Sequence, residues 1–442
     1  MKRLLMIIPF FPPMAGGGVY RPLSFVKYLP DYGWRTTVVA PRGDAFWIRD
    51  ERLVDQIPES CEVIRTNTMS GQAMIARLRT GRSSTSTGRP SQKRSSGGFS
   101  AARRLASFFL VPDSYAGWRP FALKAAMAAI EREPFDAIYS TSPPESSHLV
   151  ALSVQRRTGL PWVADFRDPW MNLYLFKPPT PFHAAAHRRL ESRVCRAAHA
   201  VVATKWHESH LIDSYPDAAG VTRISNGYDA AEAEVVASGE PPRDRFRIIH
   251  AGMLTQNRTA LPFLEGLHTL LGQNPDFRPR FEVLFVGARE DRNEQAVRSL
   301  GLGDVVQFRD TLPHDETLQL ERRSHILLLI KHVNPDYEGM VPGKLYEYIG
   351  LRRPVLALAP EGEAAQLVTD LRRGVVVPQG DKHILVETLA GLYRDFENGT
   401  LDSRFDLTDR PEFARDSLAG RMADLLDEMT RAGARKQPSR QR

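Results

Sequence analysis

Residues 338–358 read EGMVPGKLYEYIGLRRPVLAL, and the reading of this stretch decides the fold. Pro342-Gly343 predicts a turn, and Lys344, Glu347 and Tyr348 fall on the first turns of a helix. Leu351 and the pair Arg352-Arg353 close that helix, Pro354 ends it, and Val355–Leu358 predicts a buried strand. A loop that enters a helix offers unpaired backbone N–H groups and the positive end of the helix dipole. Lys344 adds a cation near that entry and Glu347 a carboxylate about one turn further on. Cation and N–H groups suit a pyrophosphate, and a fixed carboxylate suits the two hydroxyls of a ribose. The stretch has the make-up of half a nucleotide-sugar site.

Upstream, the same grammar repeats. Phe246–His250 predicts a strand, and AGMLTQNRTALPFLEGL predicts a glycine-containing loop and a helix with Arg258 near its start. An arginine there can grip a phosphate through two parallel hydrogen bonds. Further strands are predicted at Phe281–Val286, Val305–Phe308, His325–Ile330 and Gly374–Val377.

The first half of the chain follows the same plan. Leu4–Ile8 is an apolar run of strand length. Gly16-Gly17-Gly18 then opens the backbone before a helix that carries Leu23, Phe25, Val26 and Leu29, and Trp34–Ala40 is the next strand. Alternating strands and helices predict doubly wound parallel sheets, so the chain reads as α/β with two such domains. Sites of such sheets lie at the carboxyl ends of the strands. In the first half those ends carry the glycine loop, TSPPESSH with His148, and DFRD after the strand Trp162–Ala164. Asp165, Arg167 and Asp168 are three ionisable groups within four positions, and Arg167 and Asp168 are the candidates to meet the reacting sugar.

Domain limits follow from composition. Residues 1–232 form the first domain, 230–244 are acidic and then proline-rich as in a linker, and 245–408 form the second domain. Leu418, Met422, Leu425, Leu426 and Met429 make one apolar helical face, placing a final helix within 409–430. A basic, disordered tail is expected at 431–442.

The formal net charge of +7 is unevenly spread. Residues 77–104 carry eight Arg and Lys and no acid, and residues 431–442 carry five and no acid, so the rest of the chain is about −6. The basic character therefore belongs to two segments, which argues against a nucleic-acid groove. Residues 70–105 read as a mobile basic insertion. Beside Phe108, Phe109 and Trp118 it admits at most a peripheral contact with anionic lipid. Cys61 and Cys195 lie far apart and form no metal or disulfide pattern, which fits a reducing cytoplasm.

In order along the chain, PFFPPMAGGG, TSPP, DFRDPW, ISNGYD, HAGML, FEVLFVG and PGKLYEYIGLRRPVLALAP resemble the retaining glycosyltransferases of the GT4 family. The last segment is similar to the PSKLYEYLALGRPVLA type found in lipopolysaccharide and capsule glycosyltransferases. The resemblance covers most of the chain. It implies the GT-B fold, two Rossmann-like domains facing a central cleft that holds the site, with the final helix bracing the first domain.

The resemblance also implies roles. Gly16 and Gly17 match the glycine loop that approaches the donor, and Arg167 stands where many members place a histidine near the donor sugar. Arg258 and Lys344 are the donor-phosphate candidates, and Glu347 matches the ribose-binding second glutamate of the E-x7-E motif. The first glutamate of that motif would fall on Gly339, with Glu338 one residue earlier as its stand-in. The Gly-Arg pair common after the first strand of the second domain is Gly252-Met253 here.

The expected activity is retaining transfer of a sugar from a UDP- or GDP-sugar to a hydroxyl of a glycan or glycolipid in cell-surface polysaccharide synthesis. No metal or other cofactor is expected, since no Asp-x-Asp signature is found and cations and helix dipoles can stand in for a metal. Two other readings stay open: a GT-B nucleotide-sugar 2-epimerase, and a non-catalytic nucleotide-sugar-binding component of an assembly complex.

Overall fold

The computed structural model of the chain describes residues 1–42, 49–69, 110–171, 178–254, 258–332, 334 and 337–436. The chain divides into two compact units. Met1–Ser225 joins Arg415–Arg442 in the first, and Asn226–Ala414 forms the second. The whole 70–105 insertion, Phe108, Phe109 and residues 437–442 lie outside the described residues.

The first unit is a seven-stranded parallel sheet of β1 (Lys2–Ile7), β2 (Trp34–Pro41), β3 (Glu62–Thr66), β4 (Ala137–Ser142), β5 (Trp162–Phe166), β6 (His199–Val202) and β7 (Val221–Arg223). Their order is β3-β2-β1-β4-β5-β6-β7. Leu4 to Ile8 are all fully buried, as expected of a central strand covered on both faces. The covering helices are α1 (Gly17–Tyr28), α2 (Arg119–Arg132), α3 (Ser146–Thr158), α4 (Pro181–Ala197) and α5 (Lys205–Ser214).

The second unit holds α6 (Ala230–Val235) and a six-stranded parallel sheet. Its strands are β8 (Phe246–Ala251), β9 (Phe281–Val286), β10 (Val306–Arg309), β11 (Ile326–Ile330), β12 (Val355–Leu358) and β13 (Gly374–Val377). They run in the order β10-β9-β8-β11-β12-β13. Around them lie α7 (Leu261–Gln273), α8 (Asp291–Ser299), α9 (His314–Arg322), α10 (Gly343–Gly350), α11 (Glu363–Asp370) and α12 (Lys382–Glu397). The last helix, α13 (Arg415–Lys436), belongs to the first unit, where Leu418, Met422, Leu425 and Leu426 pack in one cluster with Val19, Leu23 and Val26 of α1. In each sheet the strand order reverses once, between β1 and β4 and between β8 and β11. Ligand sites of open α/β sheets form outside the strand ends at such a reversal.

Four expectations change. Strand β5 continues through Asp165 and Phe166, so Asp165 lies inside the sheet rather than on the loop after it. The stretch expected to be a linker begins with α6, which Asp229 caps by accepting from the N–H groups of Ala231 and Glu232. Helix α13 runs to Lys436, past the 431 start of the expected tail. Trp118 is fully buried and donates from Nε1 to Thr66 Oγ1 at 2.7 Å, so it is a core residue and not part of a membrane-facing surface.

Candidate active site

In the first unit the site candidates gather at the β1/β4 reversal. Helix α1 begins inside the glycine run, with Gly16 as its N-cap at φ 126°, a value that L side chains rarely adopt. Gly16 and Gly17 are exposed, and a Cβ on either would meet no atom within 4 Å. The space beside the backbone at this helix start is therefore open. Gly18 differs, because a Cβ there would lie 2.4 Å from Arg167 Nη1.

Arg167 fills that space and is spent on backbone. Its Nε donates to Ser142 O at 3.0 Å, its Nη1 to Gly18 O and its Nη2 to Pro143 O. The guanidinium also lies over the Phe10 ring, 5.8 Å from the centroid. It clamps the glycine loop to the loop after β4. Asp168 is half-buried, and burial pushes its carboxyl above the usual range while the Arg167 charge pulls it down.

Asp165 takes no part in this loop. Fully buried, it receives Arg21 Nε at 2.9 Å, Arg21 Nη2 at 2.8 Å and Tyr139 Oη at 2.6 Å. Arg21 donates onward to Ile224 O and Ser225 O. This buried pair ties α1, β5 and the end of β7 together. His148 is a core residue too. Its Nδ1 is 2.7 Å from Ser140 Oγ, its ring packs on Phe166, and burial pulls it down to about 3, so it stays neutral.

The sequence reading did not single out Asp113 and Glu145. Asp113 accepts from Ser146 N, Ser146 Oγ and Tyr115 N at 2.7, 2.9 and 2.7 Å. Glu145 sits beside it, and burial together with the Asp113 charge raises its carboxyl well above the usual range. The pair thus holds a proton close to Asp168. The one signal available was a glutamate straight after Pro143-Pro144 at a helix start.

In the second unit the cations converge at the β8/β11 reversal. Lys344, in the first turn of α10, donates from Nζ to Ala251 O at the end of β8. A Cβ on Gly252 would lie 2.1 Å from that Nζ, so only glycine leaves the lysine its place. His250 is buried. Its Nδ1 donates to Leu328 O at 2.8 Å, which leaves Nε2 as an acceptor. Burial and the Lys344 and Arg258 charges hold this ring neutral. Burial lowers the pKa of Lys331 and of Lys344, and the Arg258 charge lowers both further, so three cationic side chains share one region.

Lys331 reads in sequence as a mere connector after β11. It is buried and donates from Nζ to Tyr337 O at 3.0 Å and Met340 O at 2.8 Å. It thereby holds the loop that carries Glu338. The Glu338 side chain is exposed and makes no hydrogen bond or ion pair among the described residues, while its carbonyl accepts from Glu363 N at 3.1 Å. Glu347 is half-buried within charge reach of Lys344. Beneath both lies Glu321 of α9, 2 % exposed, whose carboxyl burial and the Glu347 charge push up to about 8. Lys344 is pulled down to about 8 by burial, against the attraction of Glu321. A buried acid in a helix of mostly polar residues has no sequence signature, which is why Glu321 was missed.

In the second unit a glycine loop at the sheet reversal, with a lysine, an arginine and a carboxylate beside it, is the type of surface that binds a phosphorylated, hydroxyl-rich ligand. Among the described residues, no group of three or more His, Cys, Asp or Glu side chains is placed to hold a metal ion.

Comparison with known proteins agrees with this fold. A family model described as a glycosyl transferase 4-like domain matches residues 16–227, and one described as glycosyl transferases group 1 matches residues 245–395. No curated protein matches the chain in sequence. Among solved structures, a sucrose-phosphate synthase from Thermosynechococcus elongatus is similar at 15% identity and a TM-score of 0.65, over 98% of this chain and all of that one. An alpha,alpha-trehalose-phosphate synthase (UDP-forming) from Burkholderia vietnamiensis is similar at 14% and 0.65, over 98% of this chain and all of that one. Anabaena HepE, solved in complex with UDP-glucose, is similar at 16% and 0.56, over 97% of this chain and all of that one. With both family models matched in order on two doubly wound sheets, the chain belongs to the glycosyltransferases of the GT-B fold.

Proposed function

We propose that this protein moves a sugar from a nucleotide diphosphate sugar, UDP- or GDP-linked, to a hydroxyl of a glycan or glycolipid, with retention of configuration. The work would serve cell-surface polysaccharide or glycolipid synthesis, in the cytoplasm at the inner face of the membrane. The observation that carries this reading is the meeting of Lys344, Arg258 and neutral His250 around Gly252, at the end of β8. Positively charged donors gathered beside a glycine loop suit a diphosphate, which takes several such donors at once. Complexes of Anabaena HepE with UDP and with UDP-glucose lend support from a protein of the same fold.

In this reading Glu347 accepts from the ribose hydroxyls. Lys344 and Arg258, with the N–H groups at the start of α10, take up charge as the sugar–phosphate bond breaks. Each well-placed donor of this kind contributes about 3 kcal/mol to the transition state. Glu338 reaches the donor sugar's hydroxyls from the loop that Lys331 holds. Gly16 and Gly17 let the sugar approach backbone, and Arg167 keeps that loop in place. Asp168 faces the acceptor. The acceptor oxygen attacks from the side the diphosphate leaves and passes its proton to a phosphate oxygen. Charge is met throughout by side chains and helix ends, so this reading has no metal or other cofactor.

The test is titration calorimetry with a panel of UDP- and GDP-sugars, followed by transfer assays that read the product anomer. Glu347→Gln should weaken donor binding by about tenfold to a hundredfold, the worth of a charged hydrogen bond. Unchanged turnover in that variant, or an inverted product, would refute the assignment.

A further inference from the structure

Two stretches of the second unit repeat one pattern. Leu351-Arg352-Arg353-Pro354-Val355 leads from α10 into β12, and Leu371-Arg372-Arg373-Gly374-Val375 leads from α11 into β13. In each, the first arginine has a left-handed backbone, φ 54° at Arg352 and φ 49° at Arg372, which few residues other than glycine adopt. In each, the second arginine is buried, Arg353 at 3% exposed and Arg373 at 0%. Val355 and Gly374 are partners in the sheet, so both buried arginines stand at its amino-terminal edge.

The two buried charges are met differently. Arg353 donates from Nε to Arg322 O at 2.9 Å and pairs with Asp402 at 3.2 Å and Glu240 at 3.6 Å. Arg373 donates from Nη2 to Thr408 O at 2.6 Å. Among the described residues Arg373 has no ion pair, and its Nε and Nη1 have no hydrogen-bond partner. The acids whose charge reaches it serve other arginines: Asp406 accepts from Arg410 Nη2, and Asp409 lies 3.0 Å from Arg352 Nε. Burial and the Arg410 charge pull Arg373 down to about 10, against the attraction of Asp406. Arg410 Nε is itself buried without a partner. A buried charge without a counter-charge is among the most costly arrangements in a protein. Two neighbouring guanidinium groups with unused N–H donors are the setting in which an oxyanion is held.

We propose that Arg373 and Arg410 hold an inorganic phosphate ion at the amino-terminal edge of the second sheet. The ion does for Arg373 what Asp402 and Glu240 do for Arg353. A free ion, rather than the phosphate end of a larger molecule, suits a side chain with no exposed surface. The place is separate from that of Lys344 and Gly252, which lie toward the carboxyl ends of the strands, β12 alone being about 13 Å long. The bound ion fastens the 406–410 loop to β13, and with it Tyr228, whose Oη donates to Arg410 O at 3.3 Å.

The experiment is thermal unfolding of the full chain and of Arg373→Met as phosphate replaces gluconate at constant ionic strength. In gluconate alone Arg373→Met should melt no lower than the wild type, because the change removes an unpaired buried charge. With phosphate at about a hundredfold its Kd the wild type should melt about 5–10 °C higher, and Arg373→Met should lack that rise. Phosphate held at Lys344 would raise both proteins alike, so the difference between them is the readout. If Arg373→Met does not fold, Arg410→Gln carries the same test, and the phosphate midpoint should move up about tenfold to a hundredfold. Glycerol phosphate should produce no difference between wild type and variant. An equal rise in both proteins would overturn the proposal. A wild type that melts above Arg373→Met by the same margin at every phosphate concentration would overturn it too, since water then satisfies the guanidinium. Glycerol phosphate acting as phosphate does would overturn the assignment to a free ion. No nucleotide enters the measurement, so its outcome is independent of the donor reading.

Discussion

Nucleotide binding should weaken as pH rises from 7 to 9, and the structure sets the size of the effect. Lys344 is pulled down to about 8 by burial and Glu321 pushed up to about 8 by burial and the Glu347 charge. The two side chains interact, so the steps belong to the pair. Either loss, from the ammonium or from the carboxyl, removes one positive charge from the place where the diphosphate would sit. A phosphate's second ionisation lies near 6, so above pH 7 the ligand's own charge is settled. For one group at about 8, the competent form falls from about nine-tenths at pH 7 to about one-tenth at pH 9. Affinity should therefore drop about tenfold, near 1.4 kcal/mol. The sign follows from the bound state, in which the phosphate restores the ammonium toward its ordinary pKa, so binding takes up a proton. Calorimetry of UDP across this range, in buffers of differing ionisation heat, reads both the affinity and the proton count. Lys344→Arg keeps its charge and should shrink the drop, leaving the steps of Glu321 and Lys331. Wild-type affinity that stays constant from pH 7 to 9, with UDP clearly bound at pH 7, would refute the reasoning.

Three further outcomes are expected. Gly17→Ala should leave the melting temperature unchanged yet slow transfer, since a Cβ there meets nothing until a ligand arrives. Gly18→Ala, whose Cβ would lie 2.4 Å from Arg167 Nη1, should disturb the clamp and lower the melting temperature as well. Asp165→Ala should cost about 3 kcal/mol or more in urea unfolding, because it leaves Arg21 buried without its counter-charge. Lys331→Met removes the two hydrogen bonds from Nζ to Tyr337 O and Met340 O, charged bonds worth about 1.5–3 kcal/mol each, and should open the 337–340 loop to limited proteolysis while the global melt shifts less.

The strands were legible because a parallel sheet covered on both faces demands unbroken apolar runs. That signal is local, and β12 and β13 fall at the residues that sequence alone predicts. Lys344 and Glu347 were legible for a related reason: a turn, a helix start and a strand within twenty residues place them relative to one another. Arg167 and Asp165 were not. Both are charged residues near a strand end, and only tertiary contacts reveal that one clamps backbone carbonyls and the other neutralises Arg21 from far away in sequence. Lys331, Asp113, Glu145 and Glu321 escaped for the same cause. Their significance lies in burial and in neighbours on another element or loop, and neither leaves a periodic trace.

The first unit takes its last helix from the end of the chain. Leu418, Met422 and Leu426 complete a core whose other residues come from α1 and the strands and loops of residues 4–224. During synthesis, then, β1 to β7 emerge early but must wait with an apolar face uncovered until α13 leaves the ribosome. The second unit, Asn226–Ala414, is continuous and can close by itself. The domain made first is finished last, so a released chain that ends at residue 414 should expose the α1 face to chaperones while its second unit resists protease.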